Sequence, residues 1–366
     1  MHSNKEKISN RQLATLIVLF TIGSSVLFIP AALTEAAEQD AWISAIVATV
    51  VGLFVVLFYA KLHQMYPKKS YFESVTHVLG KWCGGVVIAI TYIFFFLLAT
   101  LLLWDIGDFL KTQILVTTPI EVIFVIFMLT VIYGARIGIE SIARAAEIFI
   151  PWIIMLFLLM IIFLLGSLER ENILPIMEDG IKPILHGSYY LLSFPYLEVL
   201  AFLMITPHVN KAGGVRKAFV EGVLIGGCIL IISTLFCILV LGADLTARHT
   251  YPLYVLGKKV SIGKILERVE VFIAIIWFLS IYFKLSIIFY ILITSLKSFF
   301  RLKDYRPLTL PMGMLLIVMT IIMYGSTLEV QKFSAMVFDP LSYTVCIIFP
   351  IIVYIVSVIR KKTAKD

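Results

Sequence analysis

The amino-acid sequence predicts an all-α polytopic membrane protein of ten transmembrane helices, built as two halves of five with the first and sixth helices broken. Three observations carry this expectation. Of the 366 residues, 61% are hydrophobic and only 14% charged, and the mean hydropathy is +1.02, far above what keeps a globular domain dissolved. Ten apolar segments are separated mostly by short loops, and each is long enough to cross a bilayer at about 1.5 Å per residue. Two of them, the first and the sixth, carry helix-breaking residues in mid-segment, which is the sequence pointer to an inverted-repeat transporter fold with its binding site at the breaks. The repeat rests on spacing and hydropathy.

The segments cover residues 13–33, 41–62, 86–110, 120–137, 145–166, 184–206, 215–242, 269–296, 308–325 and 341–359. The halves are therefore about 13–166 and 184–359 of a single integral membrane domain, 1–366. No small-residue cleavage site precedes the first segment, so no removable signal peptide is expected. Net charge is +7, and its distribution speaks for membrane orientation rather than nucleic-acid binding. With the N-terminus cytoplasmic, 20 of the 30 Lys and Arg fall on the inner side and nine on the outer side, leaving Lys284 inside a span. This bias predicts both termini in the cytoplasm and membrane lipid as a partner.

Segment 1 holds Gly23, Ser24 and Ser25 at mid-membrane with Pro30 beyond, which gives a helix several ways to open. A small-residue contact face is the competing reading. Segment 2 is uniformly apolar, and 61–82 leaves room for a short surface helix. Segment 3 carries Phe94, Phe95 and Phe96, then Thr100, Trp104, Asp105 and Asp108 toward its outer end; Phe96 and Thr100, four apart, share a face. The fourth and fifth segments show no chemistry, and Pro151 kinks the fifth.

In segment 6, Pro195 interrupts the run Ser193-Phe-Pro-Tyr-Leu-Glu198, removing a backbone donor. Glu198 then falls in the first turn of the second half-helix, where freed N–H groups and the positive dipole end lie. Between segments 7 and 8, the loop 243–268 is a candidate gate or partner-docking segment, with Tyr251-Pro252 and Lys258-Lys259. Segment 8 begins at Arg268-Val-Glu270. Its Lys284 is fourteen residues past Glu270 and thirteen before Lys297, about 20 Å from either end, so it sits at mid-membrane. A lysine there costs about 2.5–3.5 kcal/mol unless paired or wetted, which makes it a functional candidate; an ion pair with Glu198 that merely pins two helices is the competing reading. Ser286 and Tyr290, four apart, share a face that suits a polar site.

The four cysteines are scattered with no metal spacing and read as buried small hydrophobes. The six histidines fall at loops or span ends, and no Ser/His, paired-Asp or His-Glu-x-x-His arrangement occurs at depth, so neither an enzyme nor a metal or cofactor site is expected.

Taken together, Gly23-Ser-Ser-Val-Leu-Phe-Ile-Pro30, Ser193-Phe-Pro-Tyr-Leu-Glu198, and Arg268-Val-Glu270 followed by Trp277 and Lys284, in this order and spacing over the whole chain, resemble the spore germination permeases, the B subunits of GerA-type nutrient germinant receptors. That resemblance implies a LeuT-type fold of the amino acid/polyamine/organocation superfamily, residence in the inner spore membrane, and two partners: a membrane A subunit and a lipoprotein C subunit. It also implies a pocket involving Gly23, Ser24 and Ser25, Phe96 and Thr100, Ser193, Phe194, Tyr196 and Leu197, and Ser286 and Tyr290. Charge and coupling roles fall to Glu198, Lys284, Arg268 and Glu270. The expected function is sensing of a small nutrient, an amino acid foremost, whose carboxylate lies at a half-helix N-terminus and whose ammonium meets carbonyls freed by the first break. A proton-coupled amino-acid transporter is the alternative.

Overall fold

The computed structural model describes residues 7–259 and 269–363; Arg268 lies outside them. Helices make up almost all of the described chain, and its β structure there is one isolated parallel bridge between Ile8 and Val209. Among the described residues, nine helices are long and apolar enough to cross a membrane. The number differs from the ten apolar segments because of how segment 1 folds. It forms two thirteen-residue helices, α1 (Asn10–Ile22) and α2 (Ser25–Ala37), and α2 continues through one 3-10 turn (Glu38–Asp40) into α3 (Ala41–Met65). Residues 25–65 thus read as one 41-residue apolar stretch, while α1 alone is too short to count.

Local signals set the other boundaries. Ser9 caps α1 by accepting from the Gln12 N–H at 3.1 Å, while the Gln12 carboxamide accepts from the Ser9 N–H at 2.8 Å, a reciprocal capping box. Ser70 and Glu73 do the same for α4 (Tyr71–Phe109), which kinks at Gly80, so its first turns stand apart from the main span. Gly138 separates α5 (Ile120–Ile137) from α6 (Ile139–Leu164), and Pro151 is accommodated inside α6.

Segment 6 is the least regular. α7 (Ile181–Leu191) loosens into a π-type turn (Leu192–Tyr196) in which Phe194 leaves helical geometry (φ −140°, ψ 104°), followed by a 3-10 stretch (Leu197–Ala201) and the short α8 (Phe202–Ile205). α9 (Val215–Leu241) leads to the loop helices α10 (Ala243–Arg248) and α11 (Pro252–Lys259), then α12 (Glu270–Phe299) and α13 (Arg306–Met323). The last span starts with α14 (Thr327–Phe333), passes a π turn into α15 (Asp339–Tyr343), and ends in α16 (Phe349–Thr363).

α12 is the central post. It packs on α1, α4, α5 and α6, and 61% of its most apolar window is buried against 22% for the span containing α6, which therefore faces lipid. α1 lies against α9, and α3 bridges α9 and α7.

Both ends of the bundle are fastened. At one end the Ile8 N–H donates to the His208 carbonyl (2.9 Å) and the Asn210 N–H to the Ile8 carbonyl (3.0 Å), while the Gln12 side chain donates to Glu147 at 3.0 Å. At the other, the loop helices fold over the bundle and bury Tyr251. The Tyr251 hydroxyl donates to Asp108, which also accepts from Thr327 at 3.1 Å, and its ring meets Phe28 of α2 and Phe109 of α4 edge-on. Burial first, then the Asp108 carboxylate, raise the pKa of this hydroxyl far above the ordinary tyrosine value, so it remains a donor.

Candidate ligand site between the two helix breaks

The first break is made by one residue. Gly23 adopts φ 29°, ψ −128°, and its N–H caps α1 on the Leu19 carbonyl. A Cβ there would lie 2.5 Å from Cδ of Lys284 and 2.7 Å from the Phe20 carbonyl oxygen, so glycine is required both by the backbone and by the lysine stem alongside. Ser24 and Ser25 follow, fully buried, at the N-terminus of α2, and the Ser25 hydroxyl has no hydrogen-bond partner among the described residues.

The second break faces the first across Lys284. Nζ of Lys284 lies 2.7 Å from Oε2 of Glu198, and both side chains are 0% exposed. The ammonium also stands over two aromatic faces, 3.9 Å from the centroid of Phe194 and 5.0 Å from that of Phe20. Three chain segments, each breaking or crossing at mid-bundle, thus meet at one buried charge pair. Its strength derives from desolvation: at this depth either charge alone costs several kcal/mol, and together they are tolerated.

Neighbouring helices hold the second break in place. The Tyr196 ring packs on Gly52 and its hydroxyl shares a 2.6 Å bond with Thr49, directing it toward α3 and away from Lys284. Tyr59 donates to the Leu197 carbonyl at 3.0 Å and to the Cys346 carbonyl at 2.7 Å. Ser193 donates to Oδ1 of Asp339 at 2.6 Å, and its carbonyl accepts from Ser342 at 3.1 Å. Carbonyls released by the irregular helix are thereby satisfied by side chains, as backbone within a membrane must be.

The structure brings together Gly23, Ser24, Ser25, Ser193, Phe194, Glu198 and Lys284. It places others elsewhere. Thr100 bonds to the Tyr324 hydroxyl at 3.2 Å and accepts from Thr320 on its carbonyl, facing α13, while Phe96 is half-buried at the core edge. The face of α4 that reaches the break holds Phe94, stacked on Phe338, and the buried Asp105, which feels the charge of Lys284. Tyr290 packs against His208 and Tyr305, about two turns from Lys284, and Ser286, on the same face as Tyr290 and two residues past Lys284, points away from the charge pair. Glu270 starts α12 beneath Gly257 of α11, remote from the pair.

The sequence reading did not place Phe20, Asp105, Asp339, Thr49 or Tyr59 at the site. Asp105 had a usable signal, a carboxylate within an apolar run. Asp339 escaped because the last segment begins at 341 by hydropathy, whereas the helix extends from Thr327 to Arg360.

With this geometry in view, comparison with known proteins is direct. Solved structures similar to this chain include MhsT in complex with L-phenylalanine (TM-score 0.70, 13% identity, 97% of this chain and 89% of that one) and Mhp1, a nucleobase-cation-symport-1 family transporter (TM-score 0.65, 12% identity, 93% and 76%). Both likenesses are of fold, which is LeuT-like. Spore germination protein KB of Bacillus subtilis (strain 168) is 30% identical over 364 residues, 98% of this chain and 96% of that protein, and spore germination protein A2 of the same organism is 23% identical over 364 residues, 98% of each. The family model described as spore germination protein matches residues 7–330, and the chain belongs to that family of non-enzymatic, multi-pass membrane proteins.

Proposed function

We propose that this chain is the germinant-sensing B subunit of a spore nutrient receptor, binding a small nutrient of the amino-acid class between its two helix breaks and passing the event to a membrane A subunit and a lipoprotein C subunit. The observation that carries the reading is the Lys284–Glu198 pair, which links both breaks and would register any ligand that moves either one. In this reading the chain crosses the inner spore membrane ten times, as two inverted five-helix repeats, with both termini cytoplasmic. The nutrient's carboxylate is placed at the N-terminus of α2, beside Ser24 and Ser25, where the helix dipole and unpaired N–H groups favour an anion.

Spores carrying and lacking this chain, exposed to single nutrients, test it: at least one nutrient should trigger germination only in the former. Identical response profiles would remove the proposal. The similarity to transporter structures supports a second reading, proton-coupled amino-acid uptake through Lys284 and Glu198. Uptake of the responding nutrient by proteoliposomes holding the purified chain separates the two, since a sensor binds without accumulation.

A further inference from the structure

Lys284 fills the place where a ligand ammonium would meet the first break. Its Cδ abuts the Cβ position of Gly23, and its Nζ lies among Phe20, Phe194 and Glu198. An amino acid entering between the breaks meets a tethered ammonium there, so its own ammonium needs a different counter-charge.

Three carboxylates lie deep in the apolar spans near the breaks, and their compensation differs. Glu198 has Lys284 at 2.7 Å. Asp105 lies on α4 at the level of the breaks, and Lys284 is among the charges whose field it feels. Asp339, 5% exposed, has the Ser193 hydroxyl on Oδ1 and no cationic side chain within 4 Å among the described residues. It lies twelve residues past Thr327 in the last span, roughly 18 Å along the helix, so bulk water does not supply what is missing. One hydroxyl does not balance a buried carboxylate.

Its surroundings are those of an ammonium site. Phe338, its chain neighbour, stacks on Phe94 at 5.1 Å and meets Phe194 edge-on at 6.5 Å. Phe194, with its face on Lys284, is the chain neighbour of the Ser193 that bonds Asp339, and its ring meets that of Phe338, the residue before Asp339. A carboxylate with aromatic rings close by suits an alkylammonium, because charge and ring quadrupole both attract it.

Resting on the nutrient-sensor reading, we propose that Asp339 is the ammonium-recognising residue of the ligand site, and that the nutrient is a primary-amine zwitterion which displaces the Phe194 ring, its ammonium meeting Oδ2 of Asp339 on one side and its carboxylate facing Ser24, Ser25 and Lys284 on the other.

The test uses the purified full-length chain in detergent and follows thermal unfolding with each of the twenty amino acids. For every amino acid that protects, the N-acetyl derivative and the acid with hydrogen in place of the ammonium are also measured. Protection should require the free ammonium. Asp339→Asn still accepts from Ser193, so the bond between the helices survives; it should raise the half-protecting concentration about tenfold or more, the loss of a charge-assisted hydrogen bond, and erase the preference for the free amine. Asp339→Glu should keep that preference. Equal protection by a derivative lacking the ammonium overturns the proposal, as does an unchanged concentration for Asp339→Asn, which would leave Asp339 as a clamp between two helices. If Asp339→Asn does not fold, Asp339→Glu decides: it should keep the free-amine preference with a changed half-protecting concentration, and an unchanged concentration overturns the proposal. Spores that respond through this chain to a sugar or nucleoside, with no amino acid protecting, would retain the sensor reading and overturn this one.

Discussion

The two helix breaks differ in how they are held, and the difference bears on the parts they would play in the proposed sensing role. At the first, a single glycine turns the chain between α1 and α2, and the groups that surround it are a lysine stem, Phe20 and hydroxyls such as that of Ser25 with no partner among the described residues. At the second, ten residues (192–201) depart from α-helical form, yet Tyr59, Thr49, Asp339 and Ser342 reach in from α3 and the last span to bond its carbonyls and side chains. Irregularity is greater at the second break and freedom is less. In the proposed sensing role the first break is the element that shifts, and the second is the frame, within which the Phe194 ring is the part that yields.

The largest expected effect is at the glycine. Gly23→Leu forces a side chain into a left-handed backbone position and into Cδ of Lys284, and should abolish the response to nutrient. Germination rate is compared with membrane protein level. A proportional fall in both would make Gly23 a packing residue and would level the contrast between the breaks.

Next is the charge pair. Lys284→Met strands Glu198 at zero exposure, a loss of about 3–5 kcal/mol for a buried pair broken on one side, so the protein should lose thermal stability, and Glu198→Gln, which leaves a lysine able to reach a carboxamide, should lose less. The double variant should recover stability without recovering the response. A double variant that germinates normally would show the pair to be a pin between helices and no part of sensing.

Tyr59→Phe sharpens the comparison further. It removes donors from the Leu197 and Cys346 carbonyls and should cost about 1–3 kcal/mol in thermal unfolding, with faster amide exchange across 197–201 than across 23–27. Exchange unchanged in 197–201 would mean that the frame does not depend on its bonds. The smallest effect is expected for Tyr251→Phe, which keeps the ring contacts with Phe28 and Phe109 and deletes the hydroxyl that reaches Asp108, at about 1 kcal/mol. Since Phe28 belongs to α2, half-maximal nutrient concentration should shift while α7 stays protected from exchange.

Class, spans and the position of both breaks were legible because each has a local cause: runs of apolar residues, Gly23, and Pro195. Lys284 was equally legible, since depth follows from counting residues to Glu270 and Lys297. Helical faces were not. Phe96 and Thr100 share a face, as spacing required, but which neighbour that face meets depends on how α4 is rotated against α13, and the Tyr324 hydroxyl that settles it is 224 residues away. Tyr196 followed Pro195 into the candidate pocket by proximity in sequence, whereas Gly52 and Thr49 draw it to α3. Asp339 was missed through a boundary drawn two residues late in a helix whose π turns interrupt its periodicity.

The bridge between Ile8 and Val209 ties the end of the first broken segment to the end of the sixth through amides and carbonyls alone. The two bonds carry no signature in residue type, since any residue other than proline supplies them, although Ile8 is also buried in the core and His208 packs on Tyr290. Alanine scanning would report the packing of these side chains and pass over the two backbone bonds themselves; a change that deletes an amide hydrogen, such as proline at position 8 or 210, would expose them. The joint between these two ends is in this way constrained by backbone as well as by side chains.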